Sequence, residues 1–409
     1  MKRLLGVALG VLTAIGGFVD IGDLVTNAVV GSRFGLSLVW VVGVGVVGIC
    51  LFANMSGRVA AASGRATFEV IRERLGARAG LANLAASFLI NLMTVTAEIG
   101  GVALALQLAS SVYYLLWIPV AAFAVWLVIW RVKFSVMENV TGLLGLTLVT
   151  FAVALFLLKP DWGSLANQVL APAVPAQETA PTYWYYAIAL FGAAMTPYEV
   201  FFFSSGAVEE GWTVKDLGQS RINVLVGFPL GGLLSVSIAA VAAVVLLPAG
   251  IAVTSLSQVV LPVAEGAGKV GLAFVLVGMV AATFGAALET TLSSGYTLAQ
   301  FFGWSWGKFR RPAQAARFHL AMIICLLVGI GVLATGADPV LVTEYSVVFS
   351  AIALPLTYLP ILIVANDPQY MGEHVNGRPV NVLAMIYLVI ILVASVAAIP
   401  LMIVTGAGA

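Results

Sequence analysis

Along this chain, apolar stretches long enough to cross a bilayer alternate with short polar breaks. A membrane core takes roughly 20 helical residues. Eleven such runs lie near 6–31, 36–55, 82–110, 112–130, 138–158, 183–206, 222–248, 269–301, 317–336, 340–365 and 380–405. They predict eleven transmembrane helices, and the glycines inside them are no objection because small residues let membrane helices approach closely. The stretch 58–78, with Arg58, Arg65, Glu69, Arg72, Glu73, Arg74 and Arg78, reads as a short interfacial helix between the second and third spans. The segment 159–182, with Pro160, Pro172, Pro175 and Pro181, is the longest outer connection. Tyr183, Trp184, Tyr185 and Tyr186 read as an interfacial aromatic belt.

Basic residues orient the bundle. With the N-terminus inside, the cytoplasmic segments hold sixteen Lys and Arg residues, and the opposite side holds only Arg33, Lys159 and Lys269. The excess of Lys and Arg on cytoplasmic loops therefore predicts a plasma-membrane protein with its N-terminus inside and its C-terminus outside. Met1-Lys2-Arg3 before an apolar run imitates a signal peptide. No small-x-small cleavage site precedes the polar break at Asp20, so a retained first helix is expected.

Composition agrees with the spans. The 409 residues are 61% hydrophobic and 9% charged, where soluble proteins carry roughly 45–50% apolar and about 25% charged residues. This excludes a soluble enzyme, a nucleic-acid binder and a disordered chain. The net charge of +1 offers no patch for a polyanion. Cys50 and Cys325 lie in apolar runs, so neither a disulfide framework nor a Cys/His zinc site is available.

The informative residues are acids where acids are costly. Asp20, Asp23, Glu98, Glu199, Glu289 and Glu344 lie inside apolar helices, and no Lys or Arg lies near the middle of any span. Each costs at least a few kcal/mol at membrane depth unless it faces a water-filled cavity or a cation. A single membrane carboxylate can be a protonated hydrogen-bonder, but six without basic partners invite an external cation.

Two of these sites also interrupt their helices. In the first span, Gly22 separates two aspartates in Asp20-Ile21-Gly22-Asp23, and in the sixth, Pro197 follows Met195-Thr196 and precedes Tyr198-Glu199. Proline removes a backbone donor, and freed carbonyls in mid-membrane are ready cation ligands where they line a cavity. The breaks at Asp20 and Met195 lie 175 residues apart, each in the first helix of a five-helix block, and Glu98 and Glu289 recur in the third helices. This spacing predicts an inverted-repeat transporter. One domain over 1–405 would contain repeat one at about 6–158, repeat two at about 183–365 and an extra helix at about 380–405.

At these residues the chain resembles the NRAMP (natural resistance-associated macrophage protein) family of proton-coupled divalent-metal transporters. The similarity includes the broken helices, the Arg/Glu-rich stretch after helix two, Leu354-Pro355-Leu356 through Asn366-Asp367, then Met371-Gly372 and Asn376. It implies an all-α membrane protein of LeuT-type fold, with helices 1 and 6 unwound at mid-membrane, metal held between them, and alternating access. Thr96-Ala97-Glu98-Ile99-Gly100 is similar to a family segment whose Glu belongs to the proton route.

The motifs depart from the family. Its Asp-Pro-Gly-Asn reads Asp20-Ile21-Gly22-Asp23 here, and its Met-Pro-His reads Thr196-Pro197-Tyr198. Met195 stands one position early, and a small shift would present its sulfur. Asp20, Asp23 and Glu199, then Thr196 and the carbonyls of Gly17 and Ala193, would form an oxygen-only site. Glu289, Glu344 and Tyr198 are candidates around it, and Glu98 for a proton relay. Oxygen ligands suit Mg²⁺, Ca²⁺ and Mn²⁺ better than softer ions, so Mg²⁺ is expected first and Mn²⁺ next.

Clustered carboxylates cannot all ionise cheaply, which favours a displaceable proton. Yet the family's His is absent and Val95 stands where it places an acid, so metal transport without protons stays open. A polyamine or basic amino acid is the alternative cargo. A channel or metalloenzyme is disfavoured, since no His-Glu-x-x-His occurs. A monomer in a lipid bilayer is expected, with metal as cargo, no resident cofactor and no nucleic acid.

Overall fold

The computed structural model describes residues 18–408, and all regular structure among them is helical. In chain order the helices are α1 (Ile21–Phe34), α2 (Val39–Ser63), α3 (Thr67–Ser110) and α4 (Tyr114–Arg131). Next, α5 (Phe134–Gly145) runs through a 3-10 turn into α6 (Thr150–Leu157), and α7 (Trp162–Leu170) is short. One interrupted span comprises α8 (Ala180–Ala194) and α9 (Pro197–Glu209). Then come α10 (Leu217–Ala249), α11 (Leu256–Phe302), α12 (Ala316–Ala334), α13 (Pro339–Ala365), the short α14 (Pro368–Met371) and α15 (Arg378–Val404). Among the described residues, ten segments are long and apolar enough to cross a membrane. The first expected span, 6–31, is described from residue 18 onward, where α1 forms its second half.

Several boundaries differ from expectation for identifiable backbone reasons. Of the expected interfacial helix 58–78, residues 58–63 belong to α2, which ends on left-handed Gly64, while a short helical piece from Thr67 to the break at Gly76 (φ 81°) lies between the second and third spans. The eighth span is likewise preceded by a helical segment from Leu256 that breaks at Gly268, φ 63°. The outer segment 159–182 contains α7, capped by Asp161, whose Oδ1 accepts from the N–H groups of Gly163 and Ser164.

The aromatic belt is corrected more sharply. Trp184 is exposed, but Tyr183, Tyr185 and Tyr186 are buried. Helix α8 lies inside the bundle, so its tyrosines pack on neighbouring helices, with Tyr183 and Tyr186 against Phe34.

Burial sorts the helices. Nearly every described residue of α1, α8 and α9 is buried, whereas α15 exposes Val389, Val393, Val396 and Ile403. Such an apolar outer face is what hydrocarbon solvates. Helices α3 and α11 run along each other through the centre, α13 packs on α3, and α1 packs on α10. Gly31 makes that last approach possible, since a Cβ there would lie 2.1 Å from the Ala239 carbonyl oxygen.

Side-chain contacts join the described connections at two ends of the bundle. At one end, Arg33 after the first span donates to Glu178 before the sixth (2.7 and 3.0 Å) and to the Gly408 carbonyl (2.5 Å). At the other end, Arg74 pairs with Asp367, Arg58 donates to Asn376, and Trp306 donates to Glu69 (2.9 Å). Glu209 there accepts from Tyr296 (2.8 Å) and the Lys308 backbone (2.7 Å).

Candidate functional site

Helix α1 begins at a carboxylate. Asp20 has extended backbone (φ −102°, ψ −174°), and its Oδ1 accepts from the Asp23 N–H at 2.9 Å as an N-cap. Short polar side chains are favoured there because they satisfy an orphan N–H of the first turn. Gly22 leaves the room: a Cβ there would meet Asp20 Oδ1 at 2.9 Å and Val347 Cγ1 at 2.8 Å.

The second break has a backbone cause. Met195 (φ −118°, ψ 52°) and Thr196 (φ −64°, ψ 125°) leave the helical region between α8 and α9. The helical partner of the Ala193 carbonyl would be residue 197, a proline without an N–H. The neighbouring Met195 carbonyl accepts from the Tyr358 hydroxyl at 3.2 Å.

Hydrogen bonds join the breaks to each other and to α3. Tyr198 donates to Asp20 Oδ2 at 3.3 Å, and the Ile21 N–H donates to Glu98 Oε1 at 3.1 Å. Asn27 donates to both Oδ1 and the carbonyl of Asp23 at 2.9 Å. One oxygen each of Asp23, Glu98 and Glu199 is buried without a partner.

Asp20, Asp23, Glu98, Glu199 and Glu289 are each at most 7% exposed. Glu199 lies within electrostatic range of Glu289, Asp20 and Asp23, and Glu98 within range of Asp20, Glu289 and Asp23. Among the described residues, none of these five acids pairs with Lys, Arg or His. Equally, among the described residues no three Asp, Glu, His or Cys groups converge as ligands of one ion. The interior is therefore an acid-lined region with unused acceptors, not a preassembled cage.

The remaining expected residues divide. Thr196 is buried at the N-cap of α9, where its hydroxyl makes no capping hydrogen bond. Met195 turns its sulfur toward α2: a Cβ on Gly48 would lie 2.6 Å from Sδ. Glu344 stands apart, in a small cavity with Thr26, Tyr185 and Tyr186 between α1, α8 and α13. Gly17 lies outside the described residues. Three contributors had no assigned role: Asn27, Ser235 of α10 beside Asp23, and Tyr358. Asn27 was discoverable, because a polar residue four after Asp23 shares its helix face. Ser235 and Tyr358 come from distant spans and leave no local signal.

A helical membrane bundle in which the start of α1 and the α8–α9 break meet at buried acids has the LeuT-type fold. The family model described as natural resistance-associated macrophage protein-like (Nramp) matches residues 10–400, and the chain belongs to that family of transporters, which are not enzymes. Relatives include the "Divalent metal cation transporter MntH" of Bacillus subtilis, 22% identical over 388 residues, covering 93% of this chain and 88% of the relative. The protein of that name from Deinococcus radiodurans is 26% identical over 389 residues, covering 92% and 85%.

Among solved structures, the Eremococcus coleocola manganese transporter aligns with TM-score 0.71 at 20% identity, covering 96% of this chain and 85% of that one. Mhp1, a nucleobase-cation-symport-1 family transporter in a closed conformation, aligns with TM-score 0.63 at 16% identity, covering 96% and 91%. These two likenesses concern the fold.

Proposed function

We propose that this chain carries a divalent metal cation across the plasma membrane by alternating access, with the hard ions Mg²⁺ and Mn²⁺ favoured. The observation that carries the reading is a set of buried acids at the start of α1 and in α9, with unused oxygens on Asp23 and Glu199 and, among the described residues, no basic partner. The names of the relatives point to the same cargo class.

Asp20, Asp23 and Glu199 are the first metal contacts in this reading. Thr196 and the Ala193 carbonyl add neutral oxygens, and Tyr198 holds Asp20 in place. With the Met195 sulfur turned toward α2, the available donors are oxygens, which suit hard ions. Dispersed carboxylates fit an ion that keeps part of its water shell, as Mg²⁺ usually does. Glu289 supplies long-range negative potential, and Glu344 belongs to the separate cavity near the Arg33 end.

Transport would rock the bundle containing α1, α8 and α9 against the scaffold. The monomer would face the cytoplasm with its N-terminus and its basic end. Glu98 links α3 to the α1 break and is the candidate proton relay. Metal uptake into proteoliposomes containing a pH dye tests both parts. Saturable Mg²⁺ or Mn²⁺ flux is expected, and its absence contradicts the transport reading. Flux without acidification removes proton coupling and leaves the metal reading intact.

A polyamine or basic amino acid is the second reading, favoured by the lack of three converging ligands among the described residues. An ammonium needs spread acceptors, not a coordination shell. Thermal-shift titrations with Mg²⁺, Mn²⁺ and spermidine separate the two.

A further inference from the structure

Away from the acid-lined interior, the bundle carries an open groove of about 420 Å³ between α2, α10 and α15. Its walls include Val46, Val47, Leu51, Leu225, Pro229 and Leu383, and Arg58 and Arg221 stand at its rim. Both arginines belong to the end where basic residues gather. Among the described residues, neither forms an ion pair with a carboxylate. Both line the same groove. Arg58 donates one Nη to Asn376, while its buried Nε has no acceptor.

Two adjacent guanidinium groups without a resident anion are electrostatically incomplete, and a guanidinium fork matches phosphate oxygens. Basic pockets between membrane helices on the cytoplasmic side suit acidic headgroups. Free phosphate could satisfy the arginines but would leave the apolar walls unexplained. A molecule joining a phosphate to a hydrocarbon chain uses both.

We propose that Arg58 and Arg221 bind the phosphate of an anionic glycerophospholipid whose acyl chain lies in the groove between α2, α10 and α15. The lipid would tie α2 to α15 at the basic end. This assignment is independent of the cargo, because no metal enters its test.

The experiment is native mass spectrometry of the full chain in detergent, with added phosphatidylglycerol or phosphatidylcholine. The wild type is expected to retain phosphatidylglycerol preferentially. The double variant Arg58→Gln/Arg221→Gln should lower that preference roughly ten- to thirtyfold, on the usual strength of about 1 kcal/mol per basic residue at an anionic surface. Val47→Trp, at a groove position already 47% exposed, should reduce phosphatidylglycerol occupancy with both arginines intact. Inorganic phosphate should not displace the lipid.

Equal retention of the two lipids overturns the proposal, as does an unchanged preference in the arginine variant. Unchanged occupancy in Val47→Trp, or complete displacement by phosphate, also overturns it. If the arginine variant fails to fold, Val47→Trp and phosphate competition decide.

Discussion

Tyr198 donates its hydroxyl to Asp20 at 3.3 Å, fastening the residue after one helix break to the residue at the other. The two are 178 positions apart in the chain. The same Asp20 caps α1 through its other oxygen, so one side chain holds both the break geometry and a charge for cargo. The two roles separate by substitution.

Asp20→Asn keeps a capping oxygen and removes the charge. Uptake should fall at least a hundredfold while the thermal midpoint of the apo protein stays within a few degrees. Asp20→Ala should lose uptake and, in addition, about 1 kcal/mol of stability from the cap. Proteoliposome flux and unfolding in detergent measure the two effects. Normal uptake by Asp20→Asn would contradict the assigned role.

Glu199 has a buried oxygen without a partner. Burying an unpaired carboxylate is unfavourable, so Glu199→Gln should not lower the apo midpoint. The rise in midpoint on adding Mg²⁺ or Mn²⁺ should shrink by more than half. A lower apo midpoint with an intact metal response would make Glu199 structural.

Glu344 lies outside the shared acid region. Glu344→Gln should leave metal affinity by isothermal titration within about twofold of wild type, a difference worth about 0.4 kcal/mol. A tenfold loss would return it to the binding site.

Gly31 tests the packing that positions α1. Its Cβ would overlap the Ala239 carbonyl of α10, and overpacking costs typically 1–3 kcal/mol. Gly31→Ala should lower the midpoint and weaken metal binding together, because α1 also carries Asp20 and Asp23. An unchanged midpoint would show that α1 and α10 separate freely.

Outside the spans, the Gln369 N–H and then the Arg74 guanidinium hold the Asp367 carboxyl below the usual aspartate range. A depressed folded value stabilises above the unfolded value of about 3.9 and is lost as pH falls through the folded one. The midpoint difference between wild type and Asp367→Asn should therefore close on acidification below about pH 4. A difference that persists at low pH would mean the loop is held by something other than this carboxylate.

The spans and the acids were legible because a charge in an apolar run stands out locally, as Asp20 and Glu199 do. So was the α8–α9 break, since Pro197 removes a donor wherever it stands. Less legible was the helical segment before Gly268: a positive-φ glycine interrupts α11 without changing its apolar pattern. The tyrosines of α8 misled because an aromatic cluster reads alike at a lipid interface and inside a bundle. Tyr358 at the Met195 carbonyl and Ser235 beside Asp23 depend on which spans become neighbours, and one sequence does not state that.

Anomalous scattering from a crystal soaked in Mn²⁺ tests the metal assignment most directly. One strong peak is expected between the α1 and α8–α9 breaks, within ligand or single-water distance of Asp20, Asp23 and Glu199. It should vanish in Asp20→Asn crystals. No peak there in well-occupied crystals, or a sole peak elsewhere, would contradict metal carriage at these acids.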